Sequence, residues 1–300
     1  MIEGQEGVTW QQWLALARTC EEAGLEGLFR SDHYSGFVGG PGGSLDAWAT
    51  IIALSTVTKR IRLGTLVSPA TFRHPSVLAR MVVTASHVSA GRVELGLGAG
   101  WNEAEHLEHG FPFPTTKERM ALLAEQLEII HRSWQNEQFD FVGQHYELRN
   151  SCPLPKPFGK VNVIVGGRAK PGTVVPAVRF ADEYNTGYGS PHEVEMRRLA
   201  VDQACERAGR APLTFSMMTR CTVGINRHAV ERRLNRIAEM AGGSAVIDPA
   251  ATISGTVAEV VEQLREYEAV GVERVMLQHL LHDDLEMIEL LGREVLPQLS

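Results

Sequence analysis

Residues 92–105 read Arg92-Val93-Glu94-Leu95-Gly96-Leu97-Gly98-Ala99-Gly100-Trp101-Asn102-Glu103-Ala104-Glu105. The first six residues form a strand-like run, and the glycines then force a turn. The turn does not match G-x-G-x-x-G, and no suitable acidic partner follows a next strand, so a dinucleotide fold is excluded. The glycines read instead as room for close backbone approach to a flat ligand. Outward from this stretch, short strand-like runs alternate with helical patterns. Strands are expected over 27–30, 61–67, 92–97, 162–165, 181–185, 213–223 and 274–277. Helices are expected from Thr9 to about Gly24, over 45–57, from Pro75, over 116–134 and 173–180, from Ser190 to about Gly209, after 223, and from Thr256. Capping-box spacings at Thr9/Gln12, Ser190/Glu193 and Thr256/Glu259 mark three of these starts.

This alternation is the pattern of parallel βα units. Seven strands are clear, and residues 1–3 read as the tail of an eighth, so the first strand is expected to be truncated. The fold class is α/β, a (β/α)8 TIM barrel with insertions, in one domain over 1–300. The insertions are 136–160, which holds a proline cluster and room for a short hairpin, and the Gly/Ser-rich loop 242–255.

Composition narrows the function. Of 300 residues, 44% are hydrophobic and 22% charged, which excludes disorder. The net charge of −7 argues against a nucleic-acid surface. No apolar run reaches the ~18 residues that cross a bilayer, and the start lacks a signal-peptide pattern, so no membrane partner and a cytoplasmic location are expected. Cys20, Cys152, Cys205 and Cys221 form no C-x-x-C pair and read as structural thiols in a reducing compartment. No H-E-x-x-H is present, so no metal is expected. The absence of G-x-S-x-G argues against a serine hydrolase.

In such a barrel, chemistry gathers where strands end. His33 follows the second strand and suits proton transfer near neutral pH, with Asp32 beside it as one carboxylate that could orient it. Trp101 reads equally as a pocket wall or as packing. Glu103 and Glu105 read as solvated or helix-forming, and His106 and His109 as part of the same solvated stretch. Gly166-Gly167-Arg168-Ala169-Lys170-Pro171-Gly172-Thr173 leads into a helix, an arrangement whose backbone N–H groups bind anions.

Several ordered motifs carry a resemblance. They are Ala23-Gly24-Leu25-Glu26-Gly27-Leu28-Phe29-Arg30-Ser31-Asp32-His33, Ile61-Arg62-Leu63-Gly64-Thr65 with Phe72-Arg73-His74-Pro75, and Ser89 to Glu105. Gly166-Gly167 and Phe180-Ala181-Asp182-Glu183-Tyr184-Asn185 continue it. Together they resemble luciferase-like flavin and deazaflavin oxidoreductases, and the coenzyme F420-dependent branch in particular. The resemblance implies a barrel that binds F420, with FMN as the alternative, at the strand ends. It implies a hydride-transferring oxidoreductase acting on a small organic molecule, commonly as a homodimer. His33 would carry a proton or contact the ring. Asp32, Thr65, Leu66, Ala99, Gly100 and Asn102 would support the cofactor, and Gly166, Gly167 and Thr173 would hold its phosphate. Tyr34 and Trp101 would border the substrate. The family often carries a non-prolyl cis peptide at the end of strand three, expected here near Thr65–Leu66. In the sugar-phosphate dehydrogenase branch a glutamate directly follows the glycine turn. Trp101 stands there in this chain, which argues against that reaction. The rivals are an FMN-dependent monooxygenase and a barrel that binds a cofactor without turnover.

Overall fold

The computed structural model describes residues 1–38, 42–242 and 252–299. Its elements run α1 (Trp10–Glu22), β1 (Gly27–Arg30), α2 (Ala47–Val57), β2 (Arg62–Thr65), β3 (Ser68–Pro69), α3 (Pro75–Val88) and β4 (Val93–Gly98). They continue α4 (Glu103–His109), α5 (Thr116–Gln135), β5 (Phe139–Val142), β6 (Glu147–Ser151), β7 (Asn162–Gly167), α6 (Pro171–Phe180), β8 (Glu183–Gly187) and α7 (Pro191–Arg207). The last are β9 (Thr214–Gly224), α8 (Arg227–Met240), β10 (Thr252–Thr256), α9 (Val257–Ala269), β11 (Arg274–Gln278) and α10 (Leu285–Leu290).

The parallel sheet runs β1-β2-β4-β7-β8-β9, and β11 pairs the free edge of β9. Residues 1–3 complete the ring. Ile2 bridges Arg30 in parallel, the Met1 ammonium donates to Leu277 O at 2.9 Å, and His279 N donates to Met1 O at 2.9 Å. Eight positions therefore close a TIM barrel, with the helices outside. Next to residues 1–3, a cavity of about 340 Å3 opens along β1 and β11, lined by Cys20, Leu28, Val275 and Leu291 among others.

Of the two expected insertions, the first holds and the second changes in part. The 136–160 segment contains the antiparallel hairpin β5–β6. Residues 243–251 of the expected 242–255 loop lie outside the described residues. Its end is not loop but β10, which pairs the far half of β9 from Arg220 to Gly224.

Alternation along β4 explains its composition. Val93, Leu95 and Leu97 pack outward among the helix-facing core. Glu94, Gly96 and Gly98 face the barrel interior. There Glu94, buried to 1% exposure, accepts from Arg274 Nη1 at 2.8 Å and from Asn162 Nδ2 at 2.9 Å. Above this polar layer Phe29, Leu66, Ile164 and Met276 form an apolar plug, joined by Val67 and Met218. The barrel interior is thus filled by side chains, as a small barrel requires.

Candidate active site

The site lies where β1, β2, β4, β7 and β8 end. A non-prolyl cis peptide occurs at Leu66–Val67, one bond beyond the expected position. It separates β2 from the short β3, whose Ser68 pairs with Leu97 of β4. The Val67 side chain projects inward over three glycines. A Cβ on Gly98 would lie 2.7 Å from Val67 Cγ2, and one on Gly166 would lie 3.2 Å from both Val67 methyls. A Cβ on Gly96 would strike the carbonyl oxygen of Thr65. Gly96 and Gly98 therefore make room first for the protein's own β2–β3 corner, which modifies their reading as space for a ligand. Gly100 turns the chain with φ of 78°, in the left-handed region.

Asp32 does not orient His33. Its carboxylate accepts from Ser68 Oγ at 2.6 Å and from Arg73 Nη1 at 2.5 Å. Ser68 in turn accepts from the Trp48 indole at 3.0 Å, and its oxygen lies 3.2 Å from Thr65 Oγ1. Arg73 reaches on to Asp46 at 2.7 Å and to the Tyr34 hydroxyl at 3.2 Å. Asp32 thus anchors the β2–β3 corner beneath the site. Thr65 is fully buried and donates to Gly96 O at 2.9 Å, while Leu66 belongs to the interior plug.

The partner of His33 is Glu105. This glutamate lies on α4, a seven-residue helix capped by Asn102, whose side chain accepts from Glu105 N at 3.4 Å. Gly110 ends the helix in the left-handed conformation. The short helix folds back over the barrel mouth and buries Glu105 and His106, each to 1% exposure. The expectation of a solvated stretch fails at these two positions. Glu105 Oε2 lies 2.7 Å from His33 Nδ1, and Oε1 accepts from Tyr34 N at 2.5 Å and Ser35 N at 3.2 Å. Burial alone would raise the Glu105 carboxyl's pKa. The hydrogen bond and charge of His33, with the two backbone donors, outweigh burial and hold it below the ordinary range. His106 bonds Thr71 Oγ1 at 2.6 Å and Asn102 O at 2.5 Å, tying α4 to the loop after β3.

Around His33 the walls are aromatic. The Phe37 and Trp101 rings meet it edge-on, with centroids 4.9 and 5.7 Å away, and Trp101 is 65% exposed. Tyr34 packs on Phe72 and Phe111, and burial pushes its phenol up to about 12. Ala99 is buried beside Gly100. Opposite, Gly167 makes way for two hydroxyls, those of Thr173 and Tyr184, which bond each other at 2.7 Å. Ala169 N also donates to Tyr184 at 2.8 Å. Helix α6 begins here without a side-chain cap. The expected residues thus form two groups: Asp32 to Tyr34, Thr65, Leu66 and Ala99 to Asn102 on one side, and Gly166, Gly167 and Thr173 on the other. Val67 spans them.

The family described as luciferase-like monooxygenase matches residues 2–274. The chain belongs to this family. Among relatives, an F420-dependent glucose-6-phosphate dehydrogenase of Microbacterium testaceum is 26% identical, covering 93% of this chain and 90% of that one. A protein of the same description from Nakamurella multipartita is 27% identical, covering 95% and 91%. The solved F420-dependent secondary alcohol dehydrogenase with an F420–acetone adduct superposes with a TM-score of 0.87 at 18% identity, covering all of this chain and 98% of that one. That likeness establishes the TIM-barrel fold shared across the luciferase-like family.

Of the residues that contact His33, Glu105 and Phe37 were not among the site residues expected from the sequence. Glu105 left one usable signal, the Asn102 cap with acidic residues one turn inside it. The partner of a carboxylate 72 positions from its histidine is not visible in spacing.

Proposed function

We propose that the protein is an F420-dependent oxidoreductase that moves a hydride between the deazaflavin and a small organic substrate. The observation that carries this reading is His33 at the barrel mouth. Nδ1 is held by Glu105, and no described hydrogen bond engages Nε2. The cofactor identity rests on relatives that match over nine-tenths of the chain.

The residues present suit such a group. The mouth between β4 and β7 is floored by Gly98, Ala99, Gly100, Gly166 and Gly167; the Val67 side chain stands over Gly98 and Gly166, and the Thr173 and Tyr184 hydroxyls face Gly167. The α6 start lacks a side-chain cap, and Arg168 and Lys170 add charge beside it. Thr65, Leu66, Ala99 and Gly100 would support the ring system, with Asp32 and Asn102 holding the loops that carry them. Gly166, Gly167 and Thr173 would hold the phosphate. When bound, the deazaflavin supplies hydride acceptance and return. His33 Nε2 takes or gives the substrate's proton. Trp101, by its exposed ring, and Tyr34, from the loop pinned by Glu105, border the substrate, and the aromatic wall excludes water there.

The reading extends to one luciferase-like domain over 1–300, working as a cytoplasmic homodimer on a small molecule. All four cysteines are free, which suits a reducing compartment. No described helix is long and apolar enough to cross a membrane. Titration of the purified protein with F420 and with FMN tests the cofactor. Binding of F420 is expected, and tight FMN binding without F420 binding would overturn the assignment in favour of a monooxygenase.

A further inference from the structure

We infer that Glu105 is a positioning residue that fixes the tautomer of His33, so that Nε2 presents its lone pair to the substrate. The inference rests on the oxidoreductase reading only for the purpose of that lone pair. The tautomer itself is set by the contacts.

An ionised carboxylate only accepts hydrogen bonds. Glu105 has a fully buried side chain, and each of its oxygens is engaged. Oε1 holds the backbone N–H groups of Tyr34 and Ser35, so its direction is set by the loop that carries His33. Oε2, 2.7 Å from Nδ1, can then meet only an Nδ1–H. A neutral imidazole with hydrogen on Nδ1 keeps its lone pair on Nε2. Nothing described bonds Nε2, and the ring retains 12% side-chain exposure. The Phe37 and Trp101 edges limit its rotation. When the substrate's X–H proton passes to Nε2, that bond breaks at X, a new N–H forms, and the imidazolium charge faces the Glu105 carboxylate. The same carboxylate therefore sets the base beforehand and stabilises its charged form afterwards, as the buried acid of a catalytic triad does. Glu105 touches neither substrate nor cofactor in this scheme.

Glu105→Gln tests it. Glutamine can still accept from Tyr34 and Ser35 through its oxygen, but its NH2 would face Nδ1 and favour the opposite tautomer. The probe is the 15N-labelled full chain without cofactor, at about pH 8.5, above the ordinary imidazole range. Long-range 1H–15N correlation, with His33 assigned by its loss in His33→Asn, reads each ring nitrogen. In the wild type Nδ1 is expected to carry the proton and Nε2 to be bare. In Glu105→Gln the two are expected to exchange. A protonated Nε2 in the wild type, or an unchanged tautomer in a folded Glu105→Gln, would overturn the inference. If the variant does not fold, the wild-type spectrum still decides. With F420, kcat in the variant should fall by about 10²–10⁴-fold while the cofactor's Kd changes little. An unaltered kcat would overturn the positioning role. Failure of the wild type to bind F420, with the tautomer as stated, would instead sink the oxidoreductase reading and leave the tautomer standing.

Discussion

At the residue scale, the proposed chemistry rests on one imidazole and on the carboxylate that holds it. His33 was visible in sequence because a histidine directly after a barrel strand is placed at the mouth by topology. Its role predicts that His33→Ala lowers kcat/KM by about 10²–10⁴-fold, the ordinary worth of a general acid–base group, with F420 affinity retained. Steady-state kinetics beside a fluorescence titration of the cofactor would check this. A loss confined to cofactor affinity would show that His33 merely lines the ring. Asp32 was the nearer candidate for a partner, but neighbours on an extended chain point to opposite sides. Asp32 turns down to Ser68 and Arg73, while His33 turns towards α4.

At the element scale, the β4 strand and the β2–β3 corner are fitted to each other. Gly96 and Gly98 both face Val67, but their neighbours differ in compliance. At Gly98 a new Cβ meets the tip of a valine side chain, whereas at Gly96 it meets backbone of the adjacent strand. Gly98→Ala should therefore fold with a displaced Val67 and a loss of about 1–3 kcal/mol, the usual cost of overpacking. Gly96→Ala should destabilise the barrel more than that, because the β2–β4 spacing cannot widen without breaking its ladder. Denaturant melts of the two variants decide the order, and equal stability would contradict the contact geometry. Helix α4 makes the same point about local elements. Its cap and its C-terminal glycine are readable in sequence, but at seven residues it is too short to be stable alone. Packing over the mouth stabilises it, and that packing carries Glu105 to His33.

At the scale of the molecule, closure of the barrel brings residues 1–3 against β11 and buries the segment just after that strand. His279 is buried, and its ring nitrogens have no hydrogen-bond partner among the described residues. His282 lies close by. Burial pushes both imidazoles down, to about 3 and about 4. The unfolded chain takes up these protons near the ordinary value of about 6.5, so it binds more protons than the folded chain below that pH. Stability from this source is complete above about pH 6.5 and is lost as pH falls towards the folded values. Thermal melts should show Tm falling between about pH 6.5 and pH 5, a window above most carboxylate titration. His279→Leu should flatten that slope, and parallel curves for wild type and variant would refute the assignment.

Most of the alternation of strands and helices and the identity of the family were carried by local pattern, while the strand Thr252–Thr256 was not. Hydrophobic period, caps and glycine turns are properties of neighbouring residues, and a chain displays them before it folds. Which side chains meet was decided only by closure. The Asp32–Ser68–Arg73 anchor, the Val67 side chain seated over Gly98 and Gly166, and the Glu105–His33 couple each join strands or loops 30 or more residues apart. Those contacts depend on the direction in which each side chain leaves its strand and on how the short helix folds back. Both are set by packing in three dimensions, and neither leaves a period or a spacing along the chain.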